Sequence, residues 1–585
     1  MKSLFGNFPN RVKKNSLLLL LSMLLPSFSI GSSATAAEKI YVNYSILEIP
    51  IPVLSLEKYT KTGVLDNNLS VYQNSLQQLQ DLKQILSIKI RIDPATTKQF
   101  LHTLPGEFIL QRLAKIITNK SGESTSQIEN LRTAIVAASA QPEGLTLLNL
   151  VKNYPGYSLN IDLDHGLYVA ENLERLINQT NQAIAIIQEQ SKKEAANIPQ
   201  GNLSVLPDLQ NQGNFTVKKS VKKFFDTSRN RQLLTDIYIP ESNGSHQSIP
   251  VIIISHGLGL DSSNFRYLAK HLASHGLAVV VPNHPDVLLK KINLTKLEEA
   301  KELIDRPLDI KYILDELEKI DQVHTPFQGK LNLQQVGVFG QSLGGYTALA
   351  LAGAKINFQQ LKKDCTPNAL RETWNMSLLL QCRALELPNN SLTEQQVKLK
   401  LKLYGNLNTN LKTNLKTNLK SNSTLNLRDD RIKAVIAVNP LISSIFGEDG
   451  LNEIATPVML ISSSQDAVSP ALYEQILPFS WLNKVNKFLV MLVGGTHFSS
   501  IGNSEPESEQ ILLPRELTGD TDQAHTYINT LSLPFFQSYV WGRPQYLPYL
   551  NAAYAQKISR QSLGLTLIRF LKTPQLLPLF KQQAE

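Results

Sequence analysis

The chain has 585 residues, enough for two or more domains and a large core, and its 42% hydrophobic and 18% charged content is ordinary for a globular protein. The formal charge of +9 is carried by scattered lysines, which argues against a nucleic-acid partner. There is no H-E-x-x-H, no G-x-x-x-x-G-K-[ST] and no Cys/His cluster with zinc spacing, so no metal and no cofactor is expected.

In chain order, the first segment has the three parts of a signal peptide. Lys2, Arg11, Lys13 and Lys14 are a basic start, Leu17 to Leu25 are a short apolar run ended by Pro26, and Ala34-Thr35-Ala36 or Thr35-Ala36-Ala37 supplies small residues for cleavage. The run is well short of the ~20 residues that span a bilayer. The reading is a leader over 1–37 and an exported protein, periplasmic or extracellular; an uncleaved anchor is the alternative. Removing the leader takes the formal charge from +9 to +5.

Residues 38–200 read as a mainly helical domain. SLQQLQDLKQILSIKI, EFILQRLAKIIT, LRTAIVAASA and LYVAENLERLINQTNQAIAIIQEQ repeat apolar residues at three- and four-residue steps, and polar SKKEAANIPQGN then looks like a linker. The amphipathic patterning is ordinary. Such a domain braces its neighbour, or docks peripherally to a membrane, the cell envelope or a partner.

Residues 213–585 have a different texture. VKKSVKKFFD and QLLTDIYIP flank Thr227–Arg231 as a hairpin. PVIIIS, LAVVVP, VGVFG, IKAVIAVN, PVMLISS and KFLVMLVGG then alternate with helical stretches. Runs without polar alternation predict strands buried on both faces, so the fold class is α/β, a mostly parallel sheet flanked by helices. Residues 355–430 interrupt the rhythm as a cap insertion. They hold both cysteines, Cys365 and Cys382, read as a disulfide or as two buried thiols, and the low-complexity run Asn406–Leu427, read as a flexible surface insertion.

Gly340-Gln341-Ser342-Leu343-Gly344 fits G-x-S-x-G between a strand and a small-residue helix. A turn this sharp has no room for side chains two residues either side of the serine. A serine hydroxyl needs a base, and in this architecture an acid and then a histidine follow. Asp466, just past PVMLISS, and His497, in Gly494-Gly495-Thr496-His497-Phe498 after the last run, stand in that order. The bland alternatives are a helix cap for Asp466 and an idle loop residue for His497. The backbone N–H of Leu343 and that of Leu258, in His256-Gly257-Leu258-Gly259, are the candidate oxyanion donors, a plain glycine turn being the alternative for the latter. His256, which precedes the nucleophile, reads as a structural hydrogen-bonder rather than a base. The aromatics of Pro478-Phe479-Ser480-Trp481 and of Leu533–Leu550 are read as core, or as cover for an apolar substrate.

ISHGLGLDSSNFRYLAKHLASHGLAVVVPNHPD followed by GQSLGG resembles platelet-activating-factor acetylhydrolases and dienelactone-hydrolase-like members of the α/β-hydrolase superfamily, over roughly 213–500. The resemblance implies the α/β-hydrolase fold and an esterase or lipase acting on acyl esters without metal or cofactor. In the acetylhydrolases the acid follows the preceding strand, where this chain has Val438-Asn439-Pro440; Asn439 is no carboxylate, and Asp466 holds the position usual in the wider superfamily. YVNYSILEIPIPVLSLEKYTKTG onward resembles a domain of unknown function found before such hydrolases in cyanobacteria, and the paired cysteines around NMSLLLQCRAL resemble the same group. The expected activity is an exported carboxylesterase or lipase using Ser342, His497 and Asp466 on a small-molecule or lipid ester. Acyl transfer by the same residues, or a vestigial binding protein, are the rival readings.

Overall fold

The computed structural model describes residues 37–44, 46–70, 86, 89, 94–102, 104–119, 127–199, 206–241, 248–285, 296–321, 330–387, 427–483, 486–503 and 515–581. The proposed leader except Ala37, nearly all of the helix expected at Ser75–Ile90 and almost all of the low-complexity run lie outside these. The described residues form two compact units, divided between Asn178 and Gln179.

The first unit holds the expected helices Leu104–Ile116 and Gln127–Ser139. It also holds a four-stranded sheet that the helical periodicity does not announce, built from β1 (Lys39–Tyr44), β2 (Leu47–Pro52), β3 (Ile117–Asn119) and β4 (Ser158–Asp162) in the order β2-β1-β4-β3. The helix Leu163–Ala196 runs through residues that read as a linker. From Gln179 on it belongs to the second unit, where Ala183, Ile184 and Ile187 are buried and Glu194 accepts from the N–H groups of Arg569 and Phe570. Polar residues on an exposed helix face look like a linker; the buried face settles the matter.

The second unit is built on a nine-stranded sheet. Its strands are β5 (Thr216–Asp226), β6 (Arg231–Glu241), β7 (Ile249–Ser255), β8 (Ala278–Asn283), β9 (Leu331–Gln341), β10 (Ile432–Val438), β11 (Val458–Ser463), β12 (Lys487–Val493) and β13 (Gly564–Ile568). The order is β13-β12-β11-β10-β9-β7-β8-β6-β5. The strands from β12 to β8 are parallel, and antiparallel pairs close both edges. The Val/Ile runs fill both faces: Val251 and Ile253 of β7 enter one core, Ile252 and Ile254 the other, as the two-residue strand period requires. Phe535, Phe536 and Tyr549 lie in the second core and Phe479 in the first, so these tail aromatics are core rather than cover for a substrate. Strand order reverses between β7 and β9, and ligands of open α/β sheets bind at the carboxyl ends of strands flanking such a reversal.

Of the cap insertion, 355–387 and 427–430 are described, and 358–386 folds as short helices, Phe358–Asp364, Pro367–Glu372 and Met376–Cys382, followed by a 3-10 turn. Cys365 and Cys382 are joined in a disulfide.

Candidate active site

Ser342 sits between β9 and the helix Leu343–Leu351 with φ 56° and ψ −118°, a conformation costing a non-glycine residue about 1–3 kcal/mol. The surroundings hold it there. Its N–H donates to Val438 O at 2.8 Å. A Cβ on Gly340 would stand 1.9 Å from Gly344 O, and one on Gly344 2.0 Å from Ser255 O, so both flanking glycines are required by backbone packing. The helix behind is tied through Tyr346, whose hydroxyl donates to Leu303 O at 2.9 Å. Pro307, four residues along the helix Lys296–Asp321, has no N–H to offer that carbonyl.

The structure brings the three side chains singled out in the sequence together. His497 Nε2 is 3.0 Å from Ser342 Oγ, and His497 Nδ1 is 2.7 Å from Asp466 Oδ2. The other carboxylate oxygen accepts from Val468 N at 2.8 Å and Ser469 N at 2.7 Å. Asp466 thus caps its own turn with one oxygen and faces the imidazole with the other. An ionised carboxylate only accepts, so Nδ1 carries the proton and Nε2 is left to accept from the serine hydroxyl. All three side chains are at least nine-tenths buried.

Two residues that sequence reasoning did not credit hold the histidine loop. Gln341 Nε2 donates to His497 O at 3.2 Å. Asn439, at the end of β10, exchanges two hydrogen bonds with Ser463: its Oδ1 accepts from Ser463 N at 2.9 Å and its Nδ2 donates to Ser463 Oγ at 3.1 Å. The same Nδ2 lies 3.4 Å from both Thr496 O and His497 O. Neither residue gives a signal in a single sequence beyond its place at or just past the end of a strand.

His256-Gly257-Leu258 leaves β7 directly opposite the serine. A Cβ on Gly257 would stand 3.2 Å from Ser342 Cβ and 2.2 Å from Gln341 Oε1, so a side chain there would have to displace the Gln341 amide and crowd the serine. Leu343 is the first residue of its helix, where an N–H has no acceptor within the helix itself. Behind the loop lies a buried ionic cluster. Arg231 binds Asp309 (2.9 and 2.8 Å) and Glu302 (2.9 Å), and Arg229 binds Asp226 and Asp309. Burial alone would raise the Asp309 carboxyl, but the hydrogen bond from His284 and the two guanidiniums bring it below the ordinary carboxylate range. Among the described residues no group of three or more His, Cys, Asp or Glu is arranged to hold a metal ion, and no helix is long and apolar enough to cross a membrane.

Comparison with known proteins gives two family matches. Residues 36–162 match the family described as alpha/beta hydrolase of unknown function (DUF1400), and residues 206–365 match chlorophyllase. The chain belongs to the α/β-hydrolase superfamily. A curated relative, chlorophyllase type 0 of Chenopodium album, is 28% identical over 180 residues, covering 29% of this chain and 46% of the relative. The chain thus spans less than half the length of that relative. Within this α/β-hydrolase the chlorophyllase match takes in the Gly257 loop and Ser342 and ends before Asp466 and His497. The relatives named are chlorophyllases, where the motifs resemble acetylhydrolases; what the two readings share is the superfamily and an esterase-type hydrolase.

Proposed function

We propose that the protein is an exported serine hydrolase of the carboxylesterase or lipase type, cleaving an acyl ester through Ser342, His497 and Asp466. The observation that carries this is the hydrogen-bonded chain from Ser342 Oγ through both nitrogens of His497 to Asp466, at the strand-order reversal of an α/β-hydrolase sheet. Ser342 Oγ attacks the ester carbonyl carbon as its proton passes to His497 Nε2. The oxyanion forms against the N–H groups of Leu258 and Leu343. Collapse expels the alcohol, which takes the proton from Nε2 and leaves an acyl-serine. Water, deprotonated by the same nitrogen, attacks the acyl carbon; the acid departs and the serine regains its proton. Asp466 keeps the imidazole in the useful tautomer and stabilises it when charged. The relatives' name makes a chlorophyll the first natural ester to try. Export rests on the leader-like start and agrees with the Cys365–Cys382 disulfide.

The test is turnover of a p-nitrophenyl ester series from short to long acyl chains, with fluorophosphonate labelling, for wild type and Ser342→Ala. The expected result is a chain-length optimum in the wild type and a loss of roughly 10³-fold or more in the variant, with no labelling. A wild type that neither turns over any ester nor takes the label would overturn the proposal.

A further inference from the structure

His256 lies beside the reacting groups yet takes no part in the chemistry above. It is fully buried, and both ring nitrogens are engaged. Its Nε2 stands 3.0 Å from the backbone N of His284, and its Nδ1 stands 2.7 Å from the carbonyl oxygen of Gly257. These partners leave no choice of tautomer. A backbone N–H can only donate, so Nε2 carries no proton; a carbonyl oxygen can only accept, so Nδ1 carries one. Burial, and then the Arg306 guanidinium, hold the ring well below the ordinary imidazole range, so it stays neutral.

The carbonyl that His256 holds belongs to the peptide linking Gly257 to Leu258. In a trans peptide the C=O and N–H point in opposite directions. Fixing Gly257 O on one side therefore fixes Leu258 N–H on the other. We propose that His256 is a positioning residue for the oxyanion site: as the Nδ1–H tautomer it grips the Gly257 carbonyl and so aims Leu258 N–H at the developing oxyanion. This rests on the hydrolase reading above. A hydrogen bond to the carbonyl also polarises the peptide and strengthens its N–H as a donor.

The grip is itself anchored. Arg306, with no exposed surface, donates from Nη1 to His256 O at 2.6 Å, fixing the preceding peptide. His284, whose N–H sets the His256 tautomer, is held by its own ring: Nδ1 stands 3.0 Å from Asp309 Oδ2, and Nε2 stands 3.0 Å from Ser255 Oγ. Ser255, His284 and Asp309 repeat the atom order of Ser342, His497 and Asp466. Ser255 has no exposed surface, and Asp309 is saturated by Arg229 and Arg231. The second array is therefore a rigid foundation for the oxyanion loop.

Two substitutions separate the ring nitrogens. His256→Asn puts an N–H where Nδ1 was and leaves the His284 N–H unpartnered. His256→Gln supplies an acceptor where Nε2 was and leaves Gly257 O ungripped. Positioning predicts that kcat on the best ester falls roughly 10- to 100-fold in His256→Gln, with KM within about threefold, part of the cost of losing an oxyanion donor. His256→Asn is expected within about fivefold of wild-type kcat, even if its melting temperature is the lower of the two. Activity that follows melting temperature, or His256→Gln at wild-type kcat, would overturn the proposal. Imidazole ¹⁵N shifts of the wild type, which need no variant to fold, are expected to report an Nδ1–H, neutral His256 from pH 5 to 9; an Nε2–H ring would overturn it equally. A wild type lacking Ser342-dependent turnover would instead overturn the hydrolase reading, leaving the tautomer measurement unaffected.

Discussion

Replacing Asp466 by asparagine tests the proposed chemistry with least disturbance to the fold. One carboxylate oxygen accepts from the N–H groups of Val468 and Ser469, and the other faces His497 Nδ1. In Asp466→Asn the amide oxygen stays with the two backbone donors, because the flipped amide would leave both unsatisfied at about 1–3 kcal/mol each. The amide NH₂ then faces His497 Nδ1, which must give up its proton and accept. The proton moves to Nε2, which points at Ser342 Oγ and can no longer deprotonate it. A base held in the wrong tautomer costs about 10⁴ in kcat, or roughly 5.4 kcal/mol at 1.36 per tenfold. Stability should hardly change, since every hydrogen bond of residue 466 keeps a partner. The sheet-bearing unit has about 400 residues, so its unfolding entropy is on the order of 0.8 kcal/mol/K, and a loss of about 1 kcal/mol lowers the midpoint by only about 1–2 °C. The assay is p-nitrophenyl ester turnover beside a melting curve. If Asp466→Asn kept more than about a tenth of the wild-type kcat, Asp466 would not be orienting His497 and the reasoning would fail.

Gly344→Ala would set a Cβ 2.0 Å from the Ser255 carbonyl oxygen; little soluble protein is expected, and none of it should label with fluorophosphonate. Reduction, or Cys365→Ser with Cys382→Ser, opens a bridge across a sequence separation of 17 and should cost roughly 3 kcal/mol, lowering the calorimetric midpoint by about 3–4 °C. The helix Met376–Cys382 donates Ser377 N–H to Val468 O at 2.9 Å, beside Asp466, so a several-fold drop in kcat should accompany it. Acid should destabilise the fold well before its carboxylates titrate. Burial holds His256 well below its ordinary value, and brings His271 to about 3 and His284 to about 4. Unfolded, each binds a proton below about pH 6.5, so the unfolded state holds more protons and stability falls as pH drops from there toward 4, by at most roughly 2 kcal/mol per group at pH 5. Urea midpoints at pH 7.5 and 5 check this; equal midpoints would refute it.

Where sequence patterning was clear it had a physical source. Six of the nine large-sheet strands are unbroken Val/Ile-rich runs because both faces are buried, and the β5–β6 pair reads as a hairpin around Asn230, at φ 53°. Strand β13 escaped notice because Gly-Leu-Thr-Leu-Ile is short and edge-placed, pairing with β12 only. In the first unit, β3 is three residues continuing an amphipathic helix, so its one apolar residue, Ile117, reads as part of one more turn. The candidate site was legible where chemistry needs a particular side chain just past a strand: Ser342, Asp466 and His497. Its supports were not. Arg231 meets Asp309 across 78 positions and His284 meets it across 25, and on the helix Lys296–Asp321 those acids look like solvated charge until the fold buries them.

Asn439 joins the two halves of that lesson. It stands at the position where the resemblance to acetylhydrolases leads one to expect the acid, and the sequence reads it only as a missing carboxylate. Its backbone is left-handed, φ 44°, a region asparagine tolerates better than most residues, and it has no exposed surface. Its side chain must both accept, from Ser463 N–H, and donate, to Ser463 Oγ, with the carbonyls of Thr496 and His497 close to the same NH₂. A carboxylate could do only the first and would turn negative charge toward two carbonyl oxygens in a buried site. With the acid at Asp466, one strand further along the sheet, the position after β10 is free to be an amide. That amide ties the end of β10 to the end of β11, whose next loop carries Asp466, and lies against the loop that carries His497. The amide after β10 and the carboxylate after β11 thus fit together in one arrangement: at the inner position a neutral group that both donates and accepts meets the Ser463 N–H and Oγ, and the carboxylate stands one strand further out.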